Sequence, residues 1–398
     1  MKRSTQRILT THVGSLARPD SLIPLLRLKE RGQPYDRDSF ARLAREAVAD
    51  VVRKQADAGI DILTDGEQGK PSFFGYVVER FDGFERKPAP AGAQGNPRST
   101  GREYLAFPDY YAWAERIAEW AGGRGGDRRH GIDVCTGPIR YRGHAAVQAD
   151  IETLKAAVRG LPHEEVFMPA IAPSYIAATL TNEHYRTEAE YEMAIADALA
   201  EEYRAIVDAG FVLQIDDPRL VTYYMMNPDK SVEDCRRWAA QRVEAINHSI
   251  RGIPPEKIRF HTCYSIDVGQ RVHEMELQDI VDIILTINAG AYSFEAANPR
   301  HEHEYHVFER VKLAEGKILI PGVISHTTNL VEHPALIAER IVRFARLVGR
   351  ENVIAGADCG FAASAARFND THPSVAWLKF AALTQGARLA SKQLWGRA

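Results

Sequence analysis

Short apolar runs alternate with amphipathic stretches along most of this chain. Such alternation predicts strand–helix units, in which each buried strand of a parallel sheet is followed by a helix that packs on it. Eight such units favour a closed (β/α)8 barrel, or TIM barrel, over an open sheet. The predicted strands are residues 8–13, 60–64, 166–171, 211–215, 258–261, 291–295, 318–323 and 353–357.

Helix boundaries are also visible in the sequence. Asp36 precedes a stretch whose apolar residues recur on one helical face, and Thr187 is followed three residues later by Glu190, which is the pattern of a capping box. The phrase Asp-Ala-Gly occurs at residues 57–59 and again at 208–210, each time before a buried strand. Glycine tolerates positive φ, so both phrases predict the end of a helix.

Residues 83–145 interrupt the alternation. They contain a segment rich in Pro, Gly and Ala (87–102), aromatic residues at 110–113, a glycine-rich turn at 122–126 and a strand-like run at 132–136. A long segment of this kind usually has a function. We expect an insertion that forms a lid or an oligomer contact over one mouth of a single barrel domain spanning residues 1–398. A mobile surface excursion is an equally good interpretation.

The composition excludes several classes of protein. The 398 residues are 45% hydrophobic and 26% charged, with a formal net charge of -3, which is typical of a globular protein and does not indicate a nucleic-acid partner. No apolar run reaches the ~18 residues of a membrane span, and the N-terminus lacks an apolar signal segment. We therefore expect a cytoplasmic protein whose four cysteines are thiols, not disulfides.

Three of the predicted strands end in residues that bind metals. The fifth leads into His261 and Cys263, the sixth ends at Glu295, and the eighth leads into Cys359. Strand C-termini of a barrel share one mouth, and alternate side chains of an extended segment point the same way. Two thiolates, an imidazole and a carboxylate are donors that zinc prefers. A single such cysteine is as readily a small buried hydrophobe, so the prediction depends on all three strand ends together.

The chain resembles the catalytic barrel of cobalamin-independent methionine synthase, and especially relatives that consist of that barrel alone. It is also similar to epoxyalkane–coenzyme M transferases. The matching motifs follow the family's order over nearly the whole chain: TTHVGS at 10–15, LTDGE at 63–67, QIDDP at 214–218, HTC at 261–263, FE at 294–295, PGV at 321–323 and ADCG at 357–360.

The resemblance implies a barrel of the methionine synthase/uroporphyrinogen decarboxylase type that holds Zn2+ through His261, Cys263, Glu295 and Cys359. Zinc would bind a substrate thiol as the nucleophilic thiolate, which is scarce for a free thiol at neutral pH. Four protein ligands close a tetrahedral site, and closed zinc sites are usually structural. We therefore hypothesise that Glu295 leaves the metal when the thiol arrives.

The resemblance also implies an acceptor pocket. Ser15 would bind a substrate carboxylate, whereas Glu67 and Asp216 would bind an α-ammonium group. His326 would donate a proton, forming the predicted catalytic pair with Asp216, and Arg300 is a candidate anchor for an anionic group. The alternative is that Glu67 and Asp216 are ordinary helix-capping or loop residues, because acidic side chains are common before helices.

The leading hypothesis is zinc-dependent S-methylation of homocysteine or a similar thiol. The motif at 216–218 is Asp-Asp-Pro instead of Asp-Glu-Pro and His326 lies one position early, which weakens any specific substrate assignment. The sequence has no match to the N-terminal barrel that helps bind folate in full-length synthases, so the alkyl donor is open between methylfolate, a methyl-corrinoid and another activated compound. The alternative enzyme adds a zinc-activated thiol to an epoxide or another alkyl electrophile. A metal-free tetrapyrrole decarboxylase and a non-catalytic zinc barrel are further rivals, and a homo-oligomer is compatible with each.

Overall fold

The strands of the computed structural model lie where the apolar runs of the sequence lie. The structure describes residues 1–88, 100–120, 131–264, 269–365 and 371–396. Within these ranges, the strands β1 to β11 are Leu9–Thr10, Ile62–Leu63, Phe81–Lys87, Ile132–Tyr141, Glu165–Ile171, Thr181–Asn182, Val212–Asp216, Ile258–His261, Ala291–Phe294, Ile318–Ile324 and Ile354–Ala357.

Eight of these strands form one parallel sheet in the order β1-β11-β10-β9-β8-β7-β5-β2. The amide of Asp61 donates a hydrogen bond of 3.2 Å to the carbonyl of Thr10, which links the two ends of this order. The sheet therefore closes, and the predicted (β/α)8 barrel is confirmed. Each predicted strand overlaps one barrel strand, although β1 and β2 are only two residues long.

Helices cover the outside of the barrel. In the described part of the chain, the α-helices α1 to α14 are Ile23–Glu30, Arg37–Asp57, Val77–Arg80, Arg102–Ala106, Pro108–Trp120, His144–Val158, Pro173–Ala177, Glu188–Asp208, Arg219–Met226, Val232–Ser249, Val281–Ile284, Val307–Arg310, Pro334–Val348 and Pro373–Trp395. None of them combines the length and the apolar character needed to cross a membrane.

The predicted helix ends are confirmed. The side chain of Asp36 accepts hydrogen bonds from the first-turn amides of α2, and Thr187 forms a capping box with Glu190 at the start of α8. Gly59 and Gly210 follow these two helices with φ of +82° and +93°. A side chain at either position would strain the backbone, which explains why the same phrase ends both helices.

Each barrel strand supplies two apolar layers, because successive side chains alternate between the interior and the helices. The interior layer consists of Leu9, Ile62, Phe167, Val212, Ala291, Ile318, Ile320 and Ile354. Above it lies Arg259 on β8, which is 1% exposed and donates to the hydroxyl of Thr11 and to the carbonyl of His12. The bottom of the barrel is therefore apolar, and polar groups begin toward the strand C-termini.

The inserted segment lies outside the barrel sheet. Strands β3 and β4 pair antiparallel, and β4 also pairs with β6. The predicted turn at 122–126 and most of the segment 87–102 lie outside the described residues. Helix α4 contacts two segments that follow barrel strands: Arg102 donates to the carbonyl of Tyr224 in α9, after β7, and Glu103 accepts from the amide of His273 in the loop after β8. The lid function of the insertion remains a prediction.

Candidate metal centre and acceptor pocket

Three of the predicted metal ligands meet at the C-terminal mouth of the barrel. His261 ends β8, Cys263 follows two residues later, and Cys359 follows β11. Their donor atoms all lie within 4.8 Å of one another, and the two sulfur atoms are 3.1 Å apart. All three side chains are buried. The strands thus bring together donors that are 96 residues apart along the chain.

The chemistry of these donors fits a divalent metal ion. The Nδ1 atom of His261 lies 3.0 Å from the hydroxyl of Ser293, whereas its buried Nε2 atom has no hydrogen-bond partner. Burial lowers the pKa of His261 to about 3, so the ring is neutral and has a lone pair to donate. The hydrogen bond with Cys263, together with burial, raises the pKa of Cys359. A bound cation would offset this and stabilise both thiolates.

Glu295, the fourth predicted ligand, lies beside this group but has other partners. Its Oε1 atom accepts a 2.7 Å hydrogen bond from the amide of Tyr264. Its Oε2 atom accepts from Arg271 at 2.8 Å and from the side-chain amide of Asn298 at 2.5 Å. The structure therefore presents two sulfurs and one nitrogen as convergent donors. Catalytic zinc sites usually have three protein ligands and one open position.

The two predicted acceptor-pocket carboxylates, Glu67 and Asp216, are both buried. Asp216 ends β7 and is paired in register with His261, so this pocket adjoins the metal donors. Burial raises the pKa of both acids, and the charge of Glu67 raises the pKa of Asp216 further. Glu67 also has a φ of +55°, which is uncommon outside glycine and marks a position under constraint. Two buried carboxylates that repel each other favour a bound cation.

Two cations of the chain itself lie near these acids. The Nη2 atom of Arg18 is 3.6 Å from Oε2 of Glu67. Lys70 donates to the carbonyl of Pro169 at 2.7 Å and lies 4.4 Å from the ring centre of Tyr76. The charge of Lys70 acts against burial and lowers the pKa of both Glu67 and Asp216. Cations of the protein therefore offset part of the negative charge of these two acids.

The other predicted residues divide between the mouth and the rim. Ser15 is buried against Gly360, the neighbour of Cys359, where an added Cβ would lie 2.3 Å from the Ser15 hydroxyl. His326 is buried after β10 and is close enough that its charge lowers the pKa of His261. Arg300 is exposed, and its guanidinium donates to the carbonyl of Val272 at 2.7 Å.

Sequence reasoning missed the residues that hold these groups in place. Asp358 accepts hydrogen bonds of 2.8 Å from the amides of Ala296 and Ala297, which fixes the chain directly after Glu295. The sequence offered one signal for Asp358: it is a charged residue directly beside the predicted ligand Cys359, and no function had been given to it. Lys70, three residues after Glu67, offered a similar signal, whereas nothing in the sequence connected Arg271 with Glu295.

Comparisons with known proteins agree with this geometry. Residues 169–382, more than half of the chain, match the family model described as the cobalamin-independent synthase catalytic domain. A protein named methionine synthase from Thermococcus kodakarensis is 23% identical over 97% of this chain and 94% of its own length. One from Saccharolobus islandicus is also 23% identical, over 97% and 95%.

A solved structure extends the likeness to the fold. The B12-independent methionine synthase from Shewanella sp. W3-18-1, in complex with selenomethionine, superposes with a TM-score of 0.71. It is 18% identical, and the match covers 98% of this chain and 99% of that one. Together with the family model, these observations show that the chain belongs to the cobalamin-independent methionine synthase family through its catalytic domain.

Proposed function

We propose that this protein transfers a methyl group to the sulfur of homocysteine and that its cofactor is Zn2+. The observation that carries the proposal is the convergence of His261, Cys263 and Cys359 beside a pocket with two buried carboxylates. The names of the relatives support the reaction. A cytoplasmic location belongs to the same proposal, because thiols stay reduced there.

His261, Cys263 and Cys359 would hold the zinc ion. When bound, the ion lowers the pKa of a substrate thiol so that the nucleophilic thiolate exists at neutral pH. The hydroxyl of Ser293 engages Nδ1 of His261, which would leave Nε2 to bind the metal. The two cysteines add negative charge, which keeps electron density on the substrate sulfur.

The acceptor pocket would orient the amino-acid end of homocysteine. Glu67 and Asp216 would bind its ammonium group, and Ser15 would bind its carboxylate. Three carbon atoms separate the sulfur of homocysteine from its nitrogen. Asp216 is paired in register with His261, and this pairing supports the proposal because a molecule so short could reach both regions.

In the transfer step, the sulfur forms a bond to the methyl carbon while the bond from that carbon to the donor breaks. With methylfolate, the leaving nitrogen keeps the electron pair and takes up a proton, whereas the cobalt of a methyl-corrinoid would keep the pair and need no proton. His326 is the proposed source of this proton, since it is buried at the same mouth. The donor is open between methylfolate, a methyl-corrinoid and another activated alkyl compound.

One observation favours a second candidate function. Arg18 and Lys70 already neutralise part of the acceptor pocket. A substrate ammonium group would have to compete with them for the carboxylates, whereas a thiol without an ammonium group would not. The protein would then add a zinc-activated thiol to an epoxide or another alkyl electrophile.

A product assay separates these functions. Zinc-loaded protein is incubated with homocysteine or 2-mercaptoethanesulfonate, and with methylfolate, a methyl-corrinoid or an epoxyalkane, and the thioethers are identified by mass spectrometry. We expect methionine from homocysteine and one of the methyl donors. A thioether formed only from an epoxide would replace the first function with the second. Equal transfer by protein stripped of metal would contradict both.

A further inference from the structure

A fully buried glutamine lies beneath the acceptor pocket. Gln214 shares the interior face of β7 with Val212 below it and with Asp216 above it, because side chains alternate along a strand. Val212 belongs to the apolar interior layer, whereas Asp216 belongs to the pocket. Gln214 is therefore the residue at which this strand changes from apolar to polar toward the mouth.

The side-chain amide of Gln214 joins two parts of the pocket. Its Nε2 atom donates to the carbonyl of Val13 and, at 2.8 Å, to Oδ1 of Asp216. A backbone carbonyl can only accept, so the nitrogen of the amide must face Val13, and its second hydrogen is then available to Asp216. One nitrogen atom thus links the chain after β1 to the end of β7.

The turn that carries Ser15 lies beyond the paired part of β1, which ends at residue 10. Side chains from other strands hold the carbonyls that come before this turn. Arg259 on β8 donates to the carbonyl of His12 at 2.6 Å, and Gln214 donates to that of Val13. A single glycine separates Val13 from Ser15, so the contact with Gln214 fixes the start of the turn.

The same amide leaves one oxygen of Asp216 available. Gln214 engages Oδ1, whereas no hydrogen-bond donor in the described part of the chain contacts Oδ2. An ammonium group could therefore bind Oδ2 without displacing a hydrogen bond of the protein. The contact with Gln214 would keep the carboxylate in this orientation.

Stability alone does not explain a glutamine at this position. Its Oε1 atom is buried and has no hydrogen-bond partner among the described residues. A buried polar atom without a partner destabilises the folded protein, and an apolar side chain of the same length would not have this cost. Such a residue is expected where function requires its contacts.

We propose that Gln214 is a positioning residue that ties the carboxylate of Asp216 to the turn at Ser15 and so sets the separation of the ammonium and carboxylate subsites. This inference deepens the proposed function and rests on it, because the two subsites are those proposed for homocysteine. Gln214 acts through these two residues. It should therefore govern the binding of an amino-acid thiol and not the binding of thiols in general.

The binding of two thiols tests the proposal without a methyl donor. The zinc-loaded natural protein and the Gln214→Met variant are titrated by calorimetry with homocysteine and with 2-mercaptoethanol, which lacks both the ammonium and the carboxylate group. Methionine keeps the length of the side chain but donates no hydrogen bond. We expect homocysteine to bind about tenfold more weakly, whereas the affinity for 2-mercaptoethanol should change by less than about threefold.

A double variant shows whether the effect acts through Asp216. When Asp216→Asn is already present, Gln214→Met should weaken homocysteine binding only about threefold further, which is the part that acts through Ser15. A general disturbance of the mouth would instead add its full effect of about tenfold.

Gln55→Met is the matched control. Gln55 is also fully buried and donates to the carbonyl of Thr64 at 2.8 Å, but it hydrogen-bonds to neither Val13 nor Asp216. It should leave the ratio of the two dissociation constants unchanged.

Gln214→Asn provides the test where Gln214→Met does not fold. It keeps the amide but is one methylene shorter, so it cannot span the distance between Val13 and Asp216, and it should also weaken homocysteine about tenfold. Equal losses for the two thiols would overturn the proposal, as would homocysteine binding within about threefold of the natural protein in a folded variant. A natural zinc-loaded protein that does not bind homocysteine would instead refute the proposed function.

Discussion

The two sides of the barrel mouth are built on opposite electrostatic principles. On the metal side, His261, Cys263 and Cys359 converge, and burial, together with the charges of Arg259 and His326, lowers the pKa of His261. On the acceptor side, the protein itself supplies Arg18 and Lys70 to the buried carboxylates. Two thiolates on the metal side would be stabilised by a metal ion, whereas the acceptor-side acids already have cationic neighbours with which a substrate ammonium group would have to compete.

Glu295 lies between these two cases. It follows a strand of the metal side, yet Arg271 binds it in the way that Arg18 accompanies Glu67. The comparison teaches that the partners of a buried carboxylate differ between the two sides, and Glu295 as a metal ligand remains a prediction. Each prediction below changes one of the groups that the fold places at or beside these two sides.

The largest effect should follow the loss of a metal-side sulfur. Cys263→Ser or Cys359→Ser should abolish zinc binding and methyl transfer, since a hydroxyl is a much poorer zinc ligand than a thiolate. The barrel should stay folded, because its core does not depend on the mouth. Zinc content, product formation and circular dichroism measure these outcomes.

Cys135→Ser is the matched control for those variants. Cys135 is buried in β4, and its thiol donates to the carbonyl of Gly137, a bond that a hydroxyl can also make. It should keep zinc and activity. Activity retained by Cys263→Ser after dialysis against a chelator would mean that the sulfurs do not hold a catalytic metal.

On the acceptor side, Glu67→Gln should weaken the binding of homocysteine far more than the binding of a thiol without an ammonium group. Removing one partner of a buried charge pair costs about 2 kcal/mol, which corresponds to roughly a 30-fold increase in KM. The measurement compares KM for homocysteine and for 2-mercaptoethanesulfonate. Equal losses for both thiols would exclude Glu67 as the ammonium-binding group.

Lys70→Met should change the ratio of the KM values for homocysteine and 2-mercaptoethanesulfonate in the opposite direction. Without the internal cation, the carboxylates gain more from a substrate ammonium, and we expect the preference for homocysteine to rise by about fivefold, or ~1 kcal/mol. The same two KM values measure this. An unchanged ratio would show that Lys70 supports the fold and does not neutralise the pocket.

The remaining prediction concerns the dependence of stability on pH beside the metal side, and not activity. Burial opposes the charge of His301, but its hydrogen bonds with Glu274 and Glu304 prevail and raise its pKa to about 9. A raised pKa means that the stabilisation is complete below the unfolded value near 6.5 and is lost as the pH rises through about 9.

His301→Gln should therefore lower the free energy of unfolding by about 2 kcal/mol at pH 6 and by much less at pH 10. Denaturant unfolding of the zinc-loaded proteins at both pH values measures the difference. His303→Gln is the control, since His303 is exposed and lies four residues before the start of α12. A difference that stays constant with pH would mean that His301 contributes packing alone.

Local patterns predicted the fold well because barrel units repeat. Apolar strands, helix caps such as Asp36 and Thr187, and glycines at helix ends depend on neighbouring residues in the chain, so the sequence contains their cause. The convergence of His261 and Cys263 with Cys359 was predictable too, because strand C-termini of a closed barrel share one mouth.

The partners of the buried charges were not predictable in this way. Arg271 comes to Glu295 from a loop, and Lys70 and Arg18 accompany Glu67 by virtue of how the first turns after β1 and β2 fold. Such contacts have no period or fixed spacing along the chain. Arg300 appeared at the level of sequence to face the mouth, yet it is exposed, and its function as an anchor remains a prediction.

The sequence by itself determined the barrel, its helix ends and the residues that can bind a metal, since each depends on local pattern or on the common direction of parallel strands. The tertiary structure alone decided which buried acids are already paired with cations. The reason is that electrostatic energy depends on distance and burial in three dimensions, and loops set both without leaving a signature in the order of residues.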